Sequence, residues 1–144
     1  MPADQGGGAA FCLALPATAE GVRAALRQAL TSPPLHRQSP AFRGAAELVL
    51  AEAMNNIVEH AYAGQPGQIE LRMQPCPGGL AVSVTDWGRP MPGGALPPGN
   101  PPVLSTEADL PEGGFGWHLI RRLASGLDYR RTADRNVLRF DLLA

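Results

Sequence analysis

The sequence predicts an α+β domain in which helices cover one face of a mostly antiparallel sheet. Two observations lead there. Segments that alternate apolar and polar residues come in neighbouring pairs, as hairpins do. Helical segments fall between those pairs, giving the order β-α-α-β-β-loop-α-β-β. A third observation sets the scale: 144 residues suit one domain that buries its own core without disulfides or a structural metal.

In chain order, residues 1–9 (MPADQGGGA) read as a flexible tail, and residues 10–144 as the domain. Ala10 to Leu15 forms a first strand. TAEGVRAALRQAL, Thr18 to Leu30, is an amphipathic helix with Thr18 as its N-cap, ended by Pro33 and Pro34. A longer helix runs from Pro40 to Tyr62 and is closed by Ala63-Gly64 and Pro66-Gly67. QIELRMQP and LAVSVTD alternate on either side of Pro77-Gly78-Gly79 and form a hairpin. A third helix spans Gly116 to Ala124. LDYRR and VLRFDLL close the chain as two strands around a turn at Thr132–Asn136.

Between Gly88 and Gly116 the sequence is rich in glycine and proline, which excludes a long helix or a central strand. A connection of this length in a compact domain is disordered or functional, and a lid is the common functional form.

Composition removes several function classes. The net charge is -1, so nothing marks a nucleic-acid partner. Cys12 and Cys76 form no metal-binding or redox motif and read as separate thiols in a reducing compartment. The N-terminal segment lacks the basic start and apolar stretch of a signal peptide. No apolar run approaches the ~18 residues of a membrane span. The expected location is cytoplasmic.

Three places can carry chemistry. On the second helix, Glu52, Asn56 and His60 recur every fourth residue and would share one stripe. The carboxylate can accept a proton and the carboxamide oxygen can ligate Mg2+, if the stripe addresses a cation-bound ligand. The other reading is a solvated stripe beside Glu47, Asn55 and Glu59. Asp86 ends an apolar strand and precedes Trp87-Gly88. It can accept a hydrogen bond from an exocyclic amine such as that of adenine, or simply form a turn. Gly113, Gly114 and Gly116 stand before an apolar helix, whose N-terminus offers N–H groups and partial positive charge to a phosphate. A hinge ending the loop is the plain alternative. The segment is not a Walker A loop, since no Gly-Lys-Ser/Thr follows.

Taken in order, LAEAMNNIVEHAY, VSVTDWGRP and EGGFGWHLIRRL resemble the N-box and the two glycine boxes of the GHKL ATPases. This is the superfamily of the gyrase, heat-shock chaperone, histidine kinase and mismatch-repair ATPase domains. The chain is most similar to bacterial anti-sigma-factor serine/threonine kinases, from about Phe11 to Leu143. The resemblance implies a two-layer α/β sandwich with an ATP lid, ATP and Mg2+ as cofactors, and a bacterial cytosolic setting. It makes Glu52 the general base and Asn56 the Mg2+ ligand. Asp86 becomes the adenine reader, with Gly88 beside it. Gly114, Phe115 and Gly116 become the segment that closes over the phosphates, and His60 the family histidine of the nucleotide site. Pro90 departs from the second glycine of the first glycine box. Trp117 and His118 stand where smaller or aliphatic residues are usual.

The implied activity is ATP-dependent phosphorylation of a serine on a small antagonist protein by an anti-sigma regulatory factor. The implied partners are that antagonist and a sigma factor, with no direct nucleic-acid or membrane contact; a homodimer is compatible with the reading. The alternatives are a non-catalytic, nucleotide-gated binding module and the stand-alone ATPase domain of a histidine kinase.

Overall fold

Strand pairing in the computed structural model, which describes residues 10–97 and 114–144, links five strands into one sheet of order β1-β2-β3-β5-β4. They are β1 Phe11–Pro16, β2 Gln68–Cys76, β3 Gly79–Asp86, β4 Ala124–Thr132 and β5 Arg135–Leu143. Every pairing is antiparallel. The helices are α1 Ala19–Leu30, a short α2 Pro33–His36, α3 Pro40–Asn56 and α4 Gly114–Leu123. The expectations for residues 1–9 and for most of the lid, residues 98–113, lie outside the described residues.

Local chemistry explains the element ends. Thr18 caps α1 by accepting the Gly21 N–H at 2.9 Å, as its position predicts. Ser39 caps α3 by accepting the Phe42 N–H, with Pro40 in the first turn, where its missing donor costs nothing. Cys76 pairs with Gly79, so Pro77-Gly78 is a two-residue turn. Gly78 adopts φ +82°, which the absence of a side chain permits. The second hairpin turns at Ala133-Asp134, tighter than the sequence suggests.

The short helix α2 stands where Pro33 and Pro34 were expected only to end a helix; the prolines occupy its first turn. Two other elements differ from expectation for identifiable reasons. The helix from Pro40 does not continue unbroken to Tyr62. After Asn56 the chain takes a π-helical turn, Ile57–Ala61, closed by Tyr62 N–H to Ile57 C=O at 3.0 Å. Strand β4 begins at Ala124, directly where α4 ends. A bulge between Ser125 and Asp128, with Gly126 at φ +63°, breaks the alternation by which its start would be recognised.

Alternation then builds the core. Ile69, Leu71 and Met73 of β2, Leu80, Val82 and Val84 of β3, and Leu138, Phe140 and Leu142 of β5 all face inward. Against them lie Val22, Ala25 and Ala29 of α1, Val49, Leu50, Ala53 and Met54 of α3, and Ile120 of α4. Trp117 belongs to this core, which accounts for an aromatic residue at that position. Among the described residues, no helix is long and apolar enough to cross a membrane.

Replacing Leu50, fully buried in α3, with Ala should lower the unfolding free energy by about 2–5 kcal/mol. Leu48→Ala, at a side chain 49% exposed, should stay within about 0.5 kcal/mol of the parent. Urea titration of both variants reads the contrast directly.

Candidate nucleotide site

The end of β3 carries a buried carboxylate. Asp86 is 3% exposed and lies on the inner face, paired in register with Ile69 of β2 and Asn136 of β5. Asp86 Oδ1 accepts the Gly88 N–H and an Asn136 Nδ2–H, each at 2.8 Å. Burial pushes its carboxyl above the usual carboxylate range; the two hydrogen bonds and the Arg131 guanidinium act in the opposite direction.

The turn after Asp86 is gripped from both sides. From the α3 side, Tyr62 Oη accepts the Trp87 N–H at 2.8 Å and donates to Gln68 C=O at 2.6 Å. The Ala61 carbonyl accepts the Arg89 N–H at 2.8 Å, and the His60 carbonyl accepts from the Arg89 guanidinium at 3.0 Å. A Cβ on Gly88 would stand 2.6 Å from the Ala61 carbonyl oxygen. Glycine is required there by close backbone approach, not by a special φ. From the hairpin side, Arg131 donates to Gly88 C=O at 2.7 Å, and Asn136 to Arg89 C=O at 3.0 Å. Tyr129 Oη accepts the Met91 N–H at 2.8 Å.

The second part of the site is the crossing of α3 and α4. Gly116 is buried at this contact. A Cβ there would come 2.5 Å from Glu52 Oε1 and 3.5 Å from Asn56 Nδ2. The helix includes Gly114, so the expectation that Gly114 and Gly116 precede it is corrected: the glycines form helical backbone. Gly116 allows α4 to approach the Glu52–Asn56 stripe. Asn56 is 7% exposed and its Nδ2 is buried without a hydrogen-bond partner. A buried amide lacking a partner is costly, and such an atom beside a helix-entry glycine is what a ligand-completed site would leave.

The expected three-residue stripe is therefore shortened. Glu52 and Asn56 face α4, whereas His60 lies inside the π-helical turn, whose wider period takes it off the α-helical stripe. The His60 side chain is exposed, 3.8 Å from Glu59, and the residue's contribution to the turn is its carbonyl. Phe115 and Gly114 lie in the described first turn of α4.

A Mg2+ ion can be tested against these residues. Among the described residues no cluster of three or more His, Cys, Asp and Glu side chains stands ready for a metal. The carboxamide of Asn56 is a hard oxygen donor once its amide is turned, and a carboxylate is adjacent. One protein oxygen with phosphate oxygens and water completing the shell is ordinary Mg2+ chemistry. The residues fit an ion carried by a nucleotide's phosphates.

Sequence reasoning missed Tyr62, Tyr129, Arg131 and Asn136. Asn136 had a detectable signal: it shares parity with Leu138, Phe140 and Leu142, so a strand extended two residues backward places a carboxamide on the core face. The other three are recognisable only once the turn they hold has been located.

The profile of the histidine kinase-like ATPase domain matches residues 14–142. The serine/threonine-protein kinase BtrW of Bordetella bronchiseptica is 33% identical over 97 residues, 66% of this chain and 66% of that protein. The solved structure of the RsbU and RsbW domains of Rv1364c from Mycobacterium tuberculosis superimposes with a TM-score of 0.61 and 18% identity, covering 94% of this chain and 32% of that one. The chain thus spans just under two thirds of the curated relative's length and about a third of the solved chain's. With the match reaching from β1 through β5, over nearly the whole chain, the chain belongs to the histidine kinase-like ATPase domain family.

Proposed function

We propose that this protein is an ATP-dependent serine/threonine kinase that phosphorylates a serine on a small antagonist protein and acts as an anti-sigma regulatory factor in the cytoplasm. The observation that carries the catalytic reading is the packing of Gly116 onto Glu52 and Asn56, with the Asn56 amide buried and unpartnered. It sets a carboxylate and a hard ligand beside the N-terminal turn of α4, where N–H groups attract phosphate. Asp86, at the end of the central strand β3, supplies the acceptor for the adenine amine. The kinase name of the Bordetella relative supports the reaction class.

In this reading Asp86 holds the base and the first turn of α4 holds phosphate oxygens. Glu52 takes the proton of the incoming serine hydroxyl as its oxygen bonds to the γ-phosphorus. The bond from that phosphorus to the β–γ bridging oxygen breaks, and ADP leaves. Mg2+, held by Asn56 and the phosphates, would supply charge neutralisation. The protein's work is positioning and electrostatics, as phosphoryl transfer requires.

Three variants test the assignment. Asp86→Ala should remove most discrimination between ATP and GTP in calorimetric titrations; a variant as selective as the parent would show that Asp86 does not read the base. Glu52→Ala should bind nucleotide almost as the parent does, yet lose about 10²–10⁴-fold in phosphate transfer. Asn56→Ala should lose Mg2+-dependent nucleotide affinity and activity together. Incubation with labelled ATP, Mg2+ and candidate antagonist proteins reads the transfer. If the parent labels no partner, and Glu52→Ala binds partners as the parent does, the protein is a nucleotide-gated binding module instead.

A further inference from the structure

The carboxamide of Asn136 is the most heavily committed polar side chain among the described residues. It is 4% exposed and sits opposite Asp86 in the β3–β5 ladder. Its Nδ2 donates to Asp86 Oδ1 at 2.8 Å, to Arg89 C=O at 3.0 Å and, more weakly, to Gly88 C=O at 3.3 Å. Its Oδ1 accepts the Tyr129 hydroxyl at 2.7 Å and an Arg131 N–H at 3.1 Å.

These partners fix which way the amide faces. Turned over, its oxygen would meet a carboxylate and two carbonyls, all acceptors, and its nitrogen would meet a guanidinium, which can only donate. The Tyr129 hydroxyl is also oriented, because its oxygen already accepts the Met91 N–H. The hairpin therefore presents an N–H to Asp86. Both that N–H and the Gly88 N–H arrive at Oδ1, so the other carboxylate oxygen is the one left to face an incoming donor.

We propose that Asn136 is the positioning and specificity-determining residue of the base site, orienting Asp86 so that its second oxygen reads an exocyclic amine. The inference rests on the reading of Asp86 as the adenine acceptor. Adenine offers an amine where guanine offers a carbonyl oxygen. An ionised, rotationally fixed carboxylate attracts the first and repels the second, whereas a loosely held or protonated carboxyl group can accommodate either. Asn136 supports both requirements: it restrains the rotamer, and its hydrogen bond favours the charged form against the cost of burial.

The test compares ADP and GDP affinity by calorimetry in the parent, Asn136→Ala, Asp86→Ala and the double variant. In Asn136→Ala the ADP-over-GDP preference should fall by about tenfold or more, the scale of a hydrogen bond to a charged group. The double variant should be no less selective than Asp86→Ala alone, because Asn136 acts through Asp86. If Asp86→Ala loses selectivity while Asn136→Ala keeps the parent's ratio, the inference about Asn136 is overturned and the base reading stands. If Asp86→Ala itself keeps the parent's ratio, the base reading fails and takes this inference with it. Should Asn136→Ala not fold by thermal melting, Tyr129→Phe decides. It keeps the ring and removes the hydroxyl that orients the amide, so the ratio should weaken by about threefold; an unchanged ratio overturns the proposal.

Discussion

A buried carboxylate at the end of β3 is the constraint around which this site is built. Placing Asp86 on the inner face, among residues that are otherwise apolar, carries a desolvation cost that only hydrogen bonds and opposite charge can offset. The fold meets that requirement from two directions. Strand register brings Asn136 alongside, and the turn that follows returns the Gly88 N–H to the same carboxylate. The turn cannot relax without withdrawing a donor from Asp86. It is held in place by Tyr62, Ala61 and His60 on one side, and by Arg131, Asn136 and Tyr129 on the other.

The π-helical turn after Asn56 follows from serving two sites with one helix. Glu52 and Asn56 must face α4, while the carbonyls of His60 and Ala61 must face the Arg89 segment of the turn. The extra residue per turn changes the direction in which the chain leaves the helix without disturbing the stripe before it. A glycine stands at each of the two contacts, Gly116 and Gly88. They differ in what a side chain would meet: at Gly88 the fixed backbone of Ala61 in the π-helical turn, at Gly116 the movable carboxylate end of Glu52 in α3.

Much of this was legible in the sequence because alternation and capping are local. The β2–β3 hairpin, the Thr18 cap, the start of α3 at Pro40 and the one-faced sheet follow from side-chain parity and turn chemistry. Asp86 and Gly88 were identifiable as a pair, and Glu52 with Asn56 as a stripe. The π-helical turn was hidden because IVEHAY carries no breaker and reads as ordinary helix, so His60 was carried one turn too far along the stripe. The early start of β4 was hidden by its bulge. Asn136 was absorbed into a turn that proved three residues tighter, which moved a buried polar residue to an exposed place in the expected fold. Each error came from a choice of register or helical period, which long-range pairing settles and local pattern does not.

The two halves of the site differ in how they are secured. The Asp86 end is a lattice of hydrogen bonds on the sheet, with groups from β5, β4, Tyr62 and the π-helical turn converging on residues 86–91. The Glu52–Asn56 end depends on apolar packing, with Trp117 and Ile120 of α4 set into the core and Gly116 at the point of closest approach. Hydrogen bonds are directional and apolar contacts are not. A lattice of the first kind fixes the orientation of one carboxylate, that of Asp86. Apolar packing instead fixes the separation of α3 and α4, and with it the distance between a carboxylate, a carboxamide and the N–H groups that enter α4. Because α3 and its π-helical extension contribute to both ends, the position of the Asp86 turn relative to Glu52 is set by one continuous stretch of chain.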